Sequence, residues 1–359
     1  MYVHWPFCKN RCTYCDFNAF PYQEKRYAEY TKAILEEIER YERSESVHTL
    51  YFGGGTPSHV PVEFLAQVIE ALQKKFDMRH LEEFTVEANP EDVTADWIEQ
   101  IKALGVNRLS MGIQSLDDEI LQRIGRMHSG EDAMLAMQTA LDCGIYNLSI
   151  DLMVGLPGQT VNSLKKDVDR VLAFPISHLS AYSLTIAEHT RMYRQREEGM
   201  DFPTEDEERD MFHRLVEKLE DHGLSRYEIS NFAKPGFESK HNLTYWHMHN
   251  YIGFGLSAAS FIDGVHFMNS HSYREYLRGE GRESEKLTKE ELYTEILLSG
   301  LRLKEGVDIE TLKERTGIEP QREKVQELID RGLLQEGERL LCTDIGLDLL
   351  DQILVALMP

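Results

Sequence analysis

Residues 2–15 read Tyr2-Val3-His4-Trp5-Pro6-Phe7-Cys8-Lys9-Asn10-Arg11-Cys12-Thr13-Tyr14-Cys15, in which a short strand-like run leads into three cysteines spaced Cys-x3-Cys-x2-Cys. A cubane [4Fe–4S] cluster is normally held by four thiolates. Three thiolates on one short loop would leave one iron atom open to an outside molecule. We therefore predict that Cys8, Cys12 and Cys15 hold such a cluster, and that chemistry takes place at the open iron.

Two other interpretations of the cysteines stay open. A structural zinc site would need a fourth ligand, and His4 is close enough in sequence to be proposed for it. Side chains alternate across a strand, however, so the reach of His4 toward the loop is not assured. A disulfide is favoured less, because five cysteines without an N-terminal targeting segment are typical of a reducing compartment. On the same ground we expect a cytoplasmic location.

Short β-rich segments alternate with helical patterns, whose apolar residues recur every three or four positions, as in Tyr27, Tyr30 and Ile34. This order predicts an α/β fold in which strand–helix units form a parallel barrel. Six units fall short of a closed eight-stranded barrel, so we predict a partial (β/α)6 barrel with a lateral opening. The predicted strands are Tyr2–Trp5, Thr49–Phe52, Phe84–Glu87, Arg108–Met111, Asn147–Leu152 and His178–Ser183.

Distinctive polar and small residues fall at the C-terminal ends of these strands, where active sites of β/α barrels gather. The run Gly53–Pro57 follows the second strand and would let backbone groups approach a ligand closely. Glu87 ends the third strand, Gln114 follows the fourth and Asp151 ends the fifth, which would suit a ligand rich in amines and hydroxyls. Arg126 could pair with a carboxylate. Each alone reads as a solvated or capping residue; the ordered set favours a site.

The cysteine spacing, with an aromatic residue just before the third cysteine, resembles the radical S-adenosylmethionine (SAM) superfamily. There SAM occupies the open iron, and the reduced cluster splits SAM into methionine and a 5′-deoxyadenosyl radical that abstracts hydrogen from a substrate. The resemblance implies the partial barrel and SAM as a cofactor, with Tyr14 beside the cluster. It also implies roles around SAM for Tyr2, Gly54, Gly55, Thr56, Glu87, Gln114, Arg126 and Asp151.

Within this superfamily, three segments carry a resemblance to one subgroup: Tyr-x-His-x-Pro-Phe-Cys, Gly-Gly-Gly-Thr-Pro and a Gln-Ser pair. The subgroup that the chain resembles is oxygen-independent coproporphyrinogen III oxidase and its haem-chaperone relatives. The oxidase carries a further cysteine two residues after the third, where this chain has Phe17. The resemblance therefore favours a haem chaperone that delivers haem to a client haemoprotein. The alternative is the oxidase, which decarboxylates coproporphyrinogen III propionates, so enzymatic activity stays open. A radical SAM enzyme with an unrelated substrate is a more distant third possibility.

The segment from His241 to Trp246 reads His-Asn-Leu-Thr-Tyr-Trp and resembles the His-Asn-x-x-Tyr-Trp motif of the haem-chaperone relatives. Histidine can bind haem iron, and aromatic side chains can line a flat macrocycle. The resemblance implies haem as cargo, with His241, Tyr245 and Trp246 as haem-binding residues. Without it, His241 reads as a hydrogen-bonded loop histidine and Trp246 as a packing anchor.

The last part of the chain predicts three helices, a short hairpin about Glu336–Gly337 and a final helix, an order that resembles a winged-helix domain. Residues 305–359 carry thirteen acidic and six basic side chains, which is the wrong balance for phosphate contact. We therefore expect a lid or docking module. The predicted domains are a barrel over residues 1–185, an extension with the His-Asn-x-x-Tyr-Trp motif over 186–286, and a winged-helix-like α+β domain over 287–359.

Composition supports a large globular protein, because 42% of the 359 residues are hydrophobic and no apolar run approaches a membrane-spanning length. The formal net charge of −23 disfavours nucleic acid as a partner. We expect haem and a client haemoprotein as partners. A membrane-associated client, peripheral contact of the chain with a membrane, and the oligomeric state are left open by the sequence.

Overall fold

The computed structural model describes residues 1–21, 24–335 and 337–358. Its centre is a twisted sheet of six parallel strands that follow one another in sequence order. The strands are β1 Tyr2–Trp5, β2 Thr49–Gly54, β3 Glu83–Ala88, β4 Arg108–Gln114, β5 Leu148–Val154 and β6 His178–Ser183. The six predicted strands and the predicted α/β partial-barrel class are confirmed.

Three short strands extend this sheet at its two edges. They are β7 Ser225–Arg226, β8 Asn231–Ala233 and β9 Gly253–Phe254, and the order across the sheet is β9-β1-β2-β3-β4-β5-β6-β8-β7. β9 pairs with β1 in parallel, whereas β8 pairs with β6 in the antiparallel sense. The edge strands β9 and β7 do not pair with each other, so in the described residues the barrel stays open on one side.

Helices connect and cover the strands of the sheet. In the described residues the α-helices are Glu24–Arg40, Val62–Lys75, Ala95–Ala103, Asp118–Ile124, Gly130–Asp142, Val161–Leu172, Arg191–Glu197, Glu205–Asp221, Lys240–Trp246, Tyr273–Leu277, Lys289–Gly300, Ile309–Thr316, Arg322–Asp330, Asp344–Asp348 and Leu350–Leu357. Single 3-10 turns at Pro57–His59 and Pro90–Asp92 follow β2 and β3. None of the helices in the described ranges is both long and apolar enough to span a bilayer.

The alternation of side chains along each strand separates a packed face from a polar one. One set of strand residues belongs to a single hydrophobic core shared with the surrounding helices, and burying each such side chain contributes about 1.5–3 kcal/mol. This set includes Phe52, Phe84, Leu109, Ile150 and Leu179. The alternate positions face the inside of the barrel and are mostly polar; they include Tyr51, Glu87, Ser110, Asp151 and Ser180.

Beyond the barrel, strands Ala259–Ile262, Val265–Met268 and Glu283–Lys286 form a small antiparallel sheet. Another lies in the C-terminal region and consists of Val307–Asp308, Leu334–Gln335 and Arg339–Cys342. The helices and the paired hairpin strands predicted there are present, and they enclose a second hydrophobic core. The hairpin tip was expected about Glu336–Gly337, and Glu336 lies outside the described residues. The division of the chain after residues 185 and 286 stays a prediction.

Candidate functional site

A cavity of about 420 Å³ opens at the C-terminal ends of the barrel strands. It brings together most of the residues singled out in the sequence, although they come from six separate segments of the chain. Its lining includes Cys8, Cys12, Tyr14, Cys15, Gly54, Gly55, Thr56, Glu87, Gln114, Arg126 and Asp151. Four of the proposed residues do not line it: Tyr2, His241, Tyr245 and Trp246.

The cysteine loop is held against the barrel by backbone hydrogen bonds and a short ladder. Cys8 ends a two-residue strand, Phe7–Cys8, that pairs in parallel with Phe20–Pro21. The Thr13 N–H donates to the carbonyl of Ile124 at 3.0 Å. Burial raises the pKa of the Cys8 thiol to about 11, although a hydrogen bond with Thr56 opposes the shift. Iron ligation would require the thiolate, so metal binding would release a proton here.

The three thiols share one cavity without converging on one point. In the described ranges, no three His, Cys, Asp or Glu side chains are grouped as ligands of a single metal ion. In a cubane cluster each thiolate binds a different iron, and convergence is not required. The proposed fourth zinc ligand, His4, is buried; its Nδ1 lies 2.9 Å from the Tyr2 hydroxyl, and burial lowers its pKa to about 4.

The glycine run forms a close-fitting cradle in the cavity wall; it begins within β2, which extends to Gly54, and not after the strand as expected. Gly54 has φ 111°, and a Cβ atom there would lie 2.5 Å from Cε1 of His4. A Cβ atom on Gly55 would lie 2.6 Å from the carbonyl oxygen of Phe7. Only glycine satisfies both the backbone angle and the space at Gly54. The run therefore brings its backbone next to the cysteine loop.

Glu87 presents a half-buried carboxylate to the cavity, and two donors fix its position. The Tyr51 hydroxyl donates to Oε1 at 2.7 Å, and the Gly54 N–H donates to Oε2 at 3.1 Å. Burial raises the pKa of Glu87 to about 7, with Asp151 adding to the rise, while Tyr51, Gly54 and Arg108 oppose it. A carboxylate of this kind is poised between its neutral and charged forms near neutral pH.

Asp151 lies in the middle of β5, and Gln114 is the last residue of β4, which corrects the expected positions at and after the strand ends. Ser110 Oγ donates to Asp151 Oδ1 at 3.4 Å, and burial raises the pKa of the carboxyl. The register of β4 against β5 shifts between Gly112 and Gln114, and Gln114 has φ 71°. Such a bulge re-aims a side chain, here at the rim of the cavity.

Arg126 reaches into the cavity from the loop after helix Asp118–Ile124. Its Nη2 donates to Asn89 Oδ1 at 3.0 Å and to the carbonyl of Gly112, and its Nη1 lies 3.7 Å from Cys12 Sγ. Its Nε is buried and has no hydrogen-bond partner among the described residues. The guanidinium is therefore fixed in place in the wall of the cavity.

The His-Asn-x-x-Tyr-Trp motif lies at the other end of the barrel. His241 is 1% exposed, and its ring nitrogens contact Thr49 Oγ1 at 2.9 Å and the Tyr245 hydroxyl at 2.7 Å. Trp246 packs under the guanidinium of Arg302, 3.6 Å from the ring centroid. Haem ligation by His241 would require one of these hydrogen bonds to be given up. The haem roles of His241, Tyr245 and Trp246 stay predictions.

Tyr2, predicted to contact SAM, lies inside the barrel wall beneath the cavity. Its ring is 6.1 Å from that of Tyr51 and 6.5 Å from that of His241. Sequence reasoning missed Tyr51, Arg108, Tyr182 and Asn242, which also line the cavity. For the first three the signal was available, because they occupy the inward positions of β2, β4 and β6. For Asn242 no such signal was present in the sequence, because the helix Lys240–Trp246 and not a barrel strand brings it to the cavity.

Comparison with known proteins identifies two family matches. The Radical SAM superfamily matches residues 2–171, and the HemN C-terminal domain matches residues 287–349. "Heme chaperone HemW" of Lactococcus lactis is 36% identical over 357 residues, covering 97% of this chain and 94% of the relative. The chain belongs to the HemW-like family of radical SAM proteins. The Bacillus subtilis "Heme chaperone HemW" is also 36% identical, over 94% of this chain and 93% of the relative.

A mouse relative, "Radical S-adenosyl methionine domain-containing protein 1, mitochondrial", is 35% identical over 100% of this chain and 87% of its own length. Among solved structures, coproporphyrinogen III oxidase (HemN) from Escherichia coli superposes with a TM-score of 0.86 at 22% identity, covering 99% of this chain and 89% of that one. At this identity the match shows the shared fold. Membership of the superfamily implies a [4Fe–4S] cluster and SAM.

The residues present fit these two groups. Three thiols border the cavity, the glycine cradle offers backbone groups, and Arg126 keeps an unpartnered buried donor. Two half-buried carboxylates that line the cavity, Glu87 and Asp151, can accept hydrogen bonds from amine and hydroxyl groups. The donor set combines soft sulfur ligands with polar groups for a charged, hydroxylated molecule.

Proposed function

We propose that this protein is a haem chaperone that carries a [4Fe–4S] cluster and SAM and delivers haem to a client haemoprotein. The observation that carries the proposal is 36% identity to a heme chaperone over 97% of the chain. Phe17 supports it, because an exposed aromatic ring stands where the resembling oxidase has a fourth nearby cysteine. When bound, the cluster and SAM would supply one-electron chemistry.

In this proposal Cys8, Cys12 and Cys15 hold the cluster at the cavity edge. Glu87 and backbone carbonyl groups of the glycine run bind the amino group of SAM, and the Arg126 guanidinium binds its carboxylate. The remaining polar groups of the cavity, Gln114 and Asp151 among them, bind hydroxyl and base groups. The walls thus orient SAM and exclude water from it.

In this proposal haem binds at the mouth of the cavity, as an alternative to the predicted haem roles of His241, Tyr245 and Trp246. The cluster and SAM would occupy the inner part of the cavity of about 420 Å³, where the cysteines and polar groups lie. Two aromatic side chains of the lining are open to solvent: Phe17 is 62% exposed and Tyr182 is 43% exposed. Their rings offer flat apolar surface to a macrocycle. The proposal includes a client haemoprotein, a cytoplasmic location and the division of the chain into three domains.

An anaerobic titration tests the proposal. The cluster is reconstituted, haem binding is followed optically, and conversion of coproporphyrinogen III is assayed in parallel with SAM and a reductant. Haem binding at a fixed stoichiometry without decarboxylation is the expected result. Decarboxylation would establish the oxidase instead, and failure to bind haem would end the chaperone proposal.

A further inference from the structure

The helix Lys240–Trp246 closes the end of the barrel opposite the cavity mouth. The N–H groups of Lys240 and His241 both donate to the Glu83 carboxylate at 3.0 Å. Glu83 is the first residue of β3, and Thr49, which contacts the His241 ring, is the first residue of β2. The helix is therefore fixed to the N-terminal ends of two strands and forms the floor of the barrel.

His241 connects this floor to the cavity through one aromatic ring. The imidazole stacks on the Tyr51 ring with the centroids 5.0 Å apart and the planes at 20°. The hydroxyl of Tyr51 donates to Glu87 Oε1 at 2.7 Å. The imidazole cannot shift easily, because Thr49 and Tyr245 engage both of its nitrogens. Tyr51 thus spans the distance from the fixed floor to the carboxylate in the cavity.

We infer that His241 is a positioning residue for SAM binding: through the stacked ring of Tyr51 it holds the Glu87 carboxylate toward the amino group of SAM. This role rests on the SAM site proposed above and does not involve ligation of haem iron. It also accounts for the motif's place in the fold, since His241 is neutral, buried and within the barrel.

The orientation of Glu87 depends on few groups. Two donors bind the carboxylate directly, the Tyr51 hydroxyl and the Gly54 N–H. Of the charged groups around it, Arg108 favours the ionised form and Asp151 opposes it. The Tyr51 hydrogen bond is the strongest of the influences that favour ionisation, so its loss would both free the carboxylate and raise its pKa.

The experiment measures SAM binding to reconstituted protein with the cluster oxidised, so that SAM is bound without being cleaved. Tyr51→Phe keeps the ring stack and removes the donor to Glu87. We expect about tenfold weaker SAM binding near neutral pH, because a charge-assisted hydrogen bond is lost. The acid limb of the binding profile should move to higher pH, because Glu87 then ionises later. Iron content and haem affinity should not change.

His241→Gln removes the stacked ring, and we expect a loss of SAM affinity with the same shift of the acid limb. His178→Gln is the matched control. His178 is also buried and held between two hydroxyls, Ser149 at 2.8 Å and Tyr227 at 2.9 Å, but it does not contact Tyr51. We expect it to leave the SAM profile unchanged, whatever it does to stability.

The inference would be overturned if Tyr51→Phe bound SAM with the same affinity and pH profile as the wild-type protein. The Tyr51→Phe variant also keeps the test valid if His241→Gln fails to fold. Loss of haem binding in His241→Gln with SAM binding intact would also overturn it and restore the haem role. Glu87→Gln separates this inference from the SAM site itself. If Glu87→Gln binds SAM normally, both the proposed SAM site and the inference are wrong. If Glu87→Gln weakens SAM binding but Tyr51→Phe and His241→Gln do not, the SAM site stands and only the inference is wrong.

Discussion

The guanidinium of Arg126 lies 3.7 Å from the sulfur of Cys12, measured from Nη1 to Sγ, and thereby joins the cysteine loop to the polar groups of the cavity. The same side chain donates to Asn89 Oδ1. A fixed positive charge thus stands between the cysteines predicted to hold the cluster and the polar groups proposed to bind SAM. This guanidinium is the group with which a SAM carboxylate would pair.

Replacement of Arg126 should therefore weaken SAM binding. For Arg126→Gln we expect about a tenfold or greater loss of affinity, since a charged pair in a buried site is removed. Isothermal titration with the oxidised, reconstituted protein measures this. Arg123→Gln, on the preceding helix, is the control and should bind SAM normally. Equal affinities in wild type and Arg126→Gln would remove Arg126 from the site.

The cluster ligands can be tested one at a time. Cys12→Ala should lose the signal of a reduced cluster in electron paramagnetic resonance and most of the roughly four irons per chain that reconstitution supplies. Cys143→Ala is the control, because this half-buried thiol lies outside the cavity. Retention of iron and signal in Cys12→Ala would contradict the assignment.

The close packing around Gly54 predicts that alanine is more destabilising there than at another glycine with a similar φ angle. Gly54 and Gly105 have φ 111° and 97°, but a Cβ atom would lie 2.5 Å from His4 in the first and 3.9 Å from Phe84 in the second. Gly54→Ala should therefore cost about 2 kcal/mol more of unfolding free energy than Gly105→Ala, the usual cost of overpacking. Urea denaturation measures both. If Gly54→Ala and Gly105→Ala were equally destabilising, the His4 side chain would be able to move away from the new methyl group without loss of stability.

Glu87 predicts a pH dependence of SAM binding. Burial raises its pKa to about 7, and only the ionised carboxylate attracts an ammonium group. SAM affinity should thus be highest above this pH and should fall as the pH drops through about 7. In Glu87→Gln the affinity should be low and its dependence on pH in this range should disappear. A profile that is flat in the wild-type protein would contradict the role of Glu87.

The aromatic rings at the cavity mouth predict where haem is bound. Phe17→Ser should weaken haem binding about tenfold, because a buried aromatic contact in the complex is lost. Phe17→Tyr should keep the affinity. Tyr146→Ser removes an aromatic side chain of similar exposure, 69%, outside the cavity and should have no effect. Equal haem affinities in wild type and Phe17→Ser would place haem elsewhere.

Much of the fold could be predicted from the sequence, because each parallel strand is recognisable from the residue types within its own short segment. The six core strands appear where the β-rich segments predict them, and the alternation that divides apolar from polar faces is already visible in each one. Their polar ends also predicted one site, since strands in parallel order bring Gly54, Glu87 and Gln114 to the same edge.

The rest depends on contacts between residues that are distant in sequence. Nothing near His241 indicates that its partners are Thr49 and Tyr51, almost two hundred residues earlier. The burial of Tyr2 beneath the cavity follows from the same packing. The strand bulge at Gln114 is likewise set by the register of β4 against β5 rather than by its local sequence.

The most direct test of the account is the rate at which haem leaves the loaded protein for an acceptor. Haem-loaded, cluster-reconstituted protein is mixed with increasing amounts of apo-haemoprotein from the same source, with apomyoglobin as a general scavenger. If the protein delivers haem, transfer to a client should become faster as the client concentration rises and should exceed the rate of loss to apomyoglobin. A single rate, the same for every acceptor and independent of its concentration, would show passive release and contradict delivery by this protein.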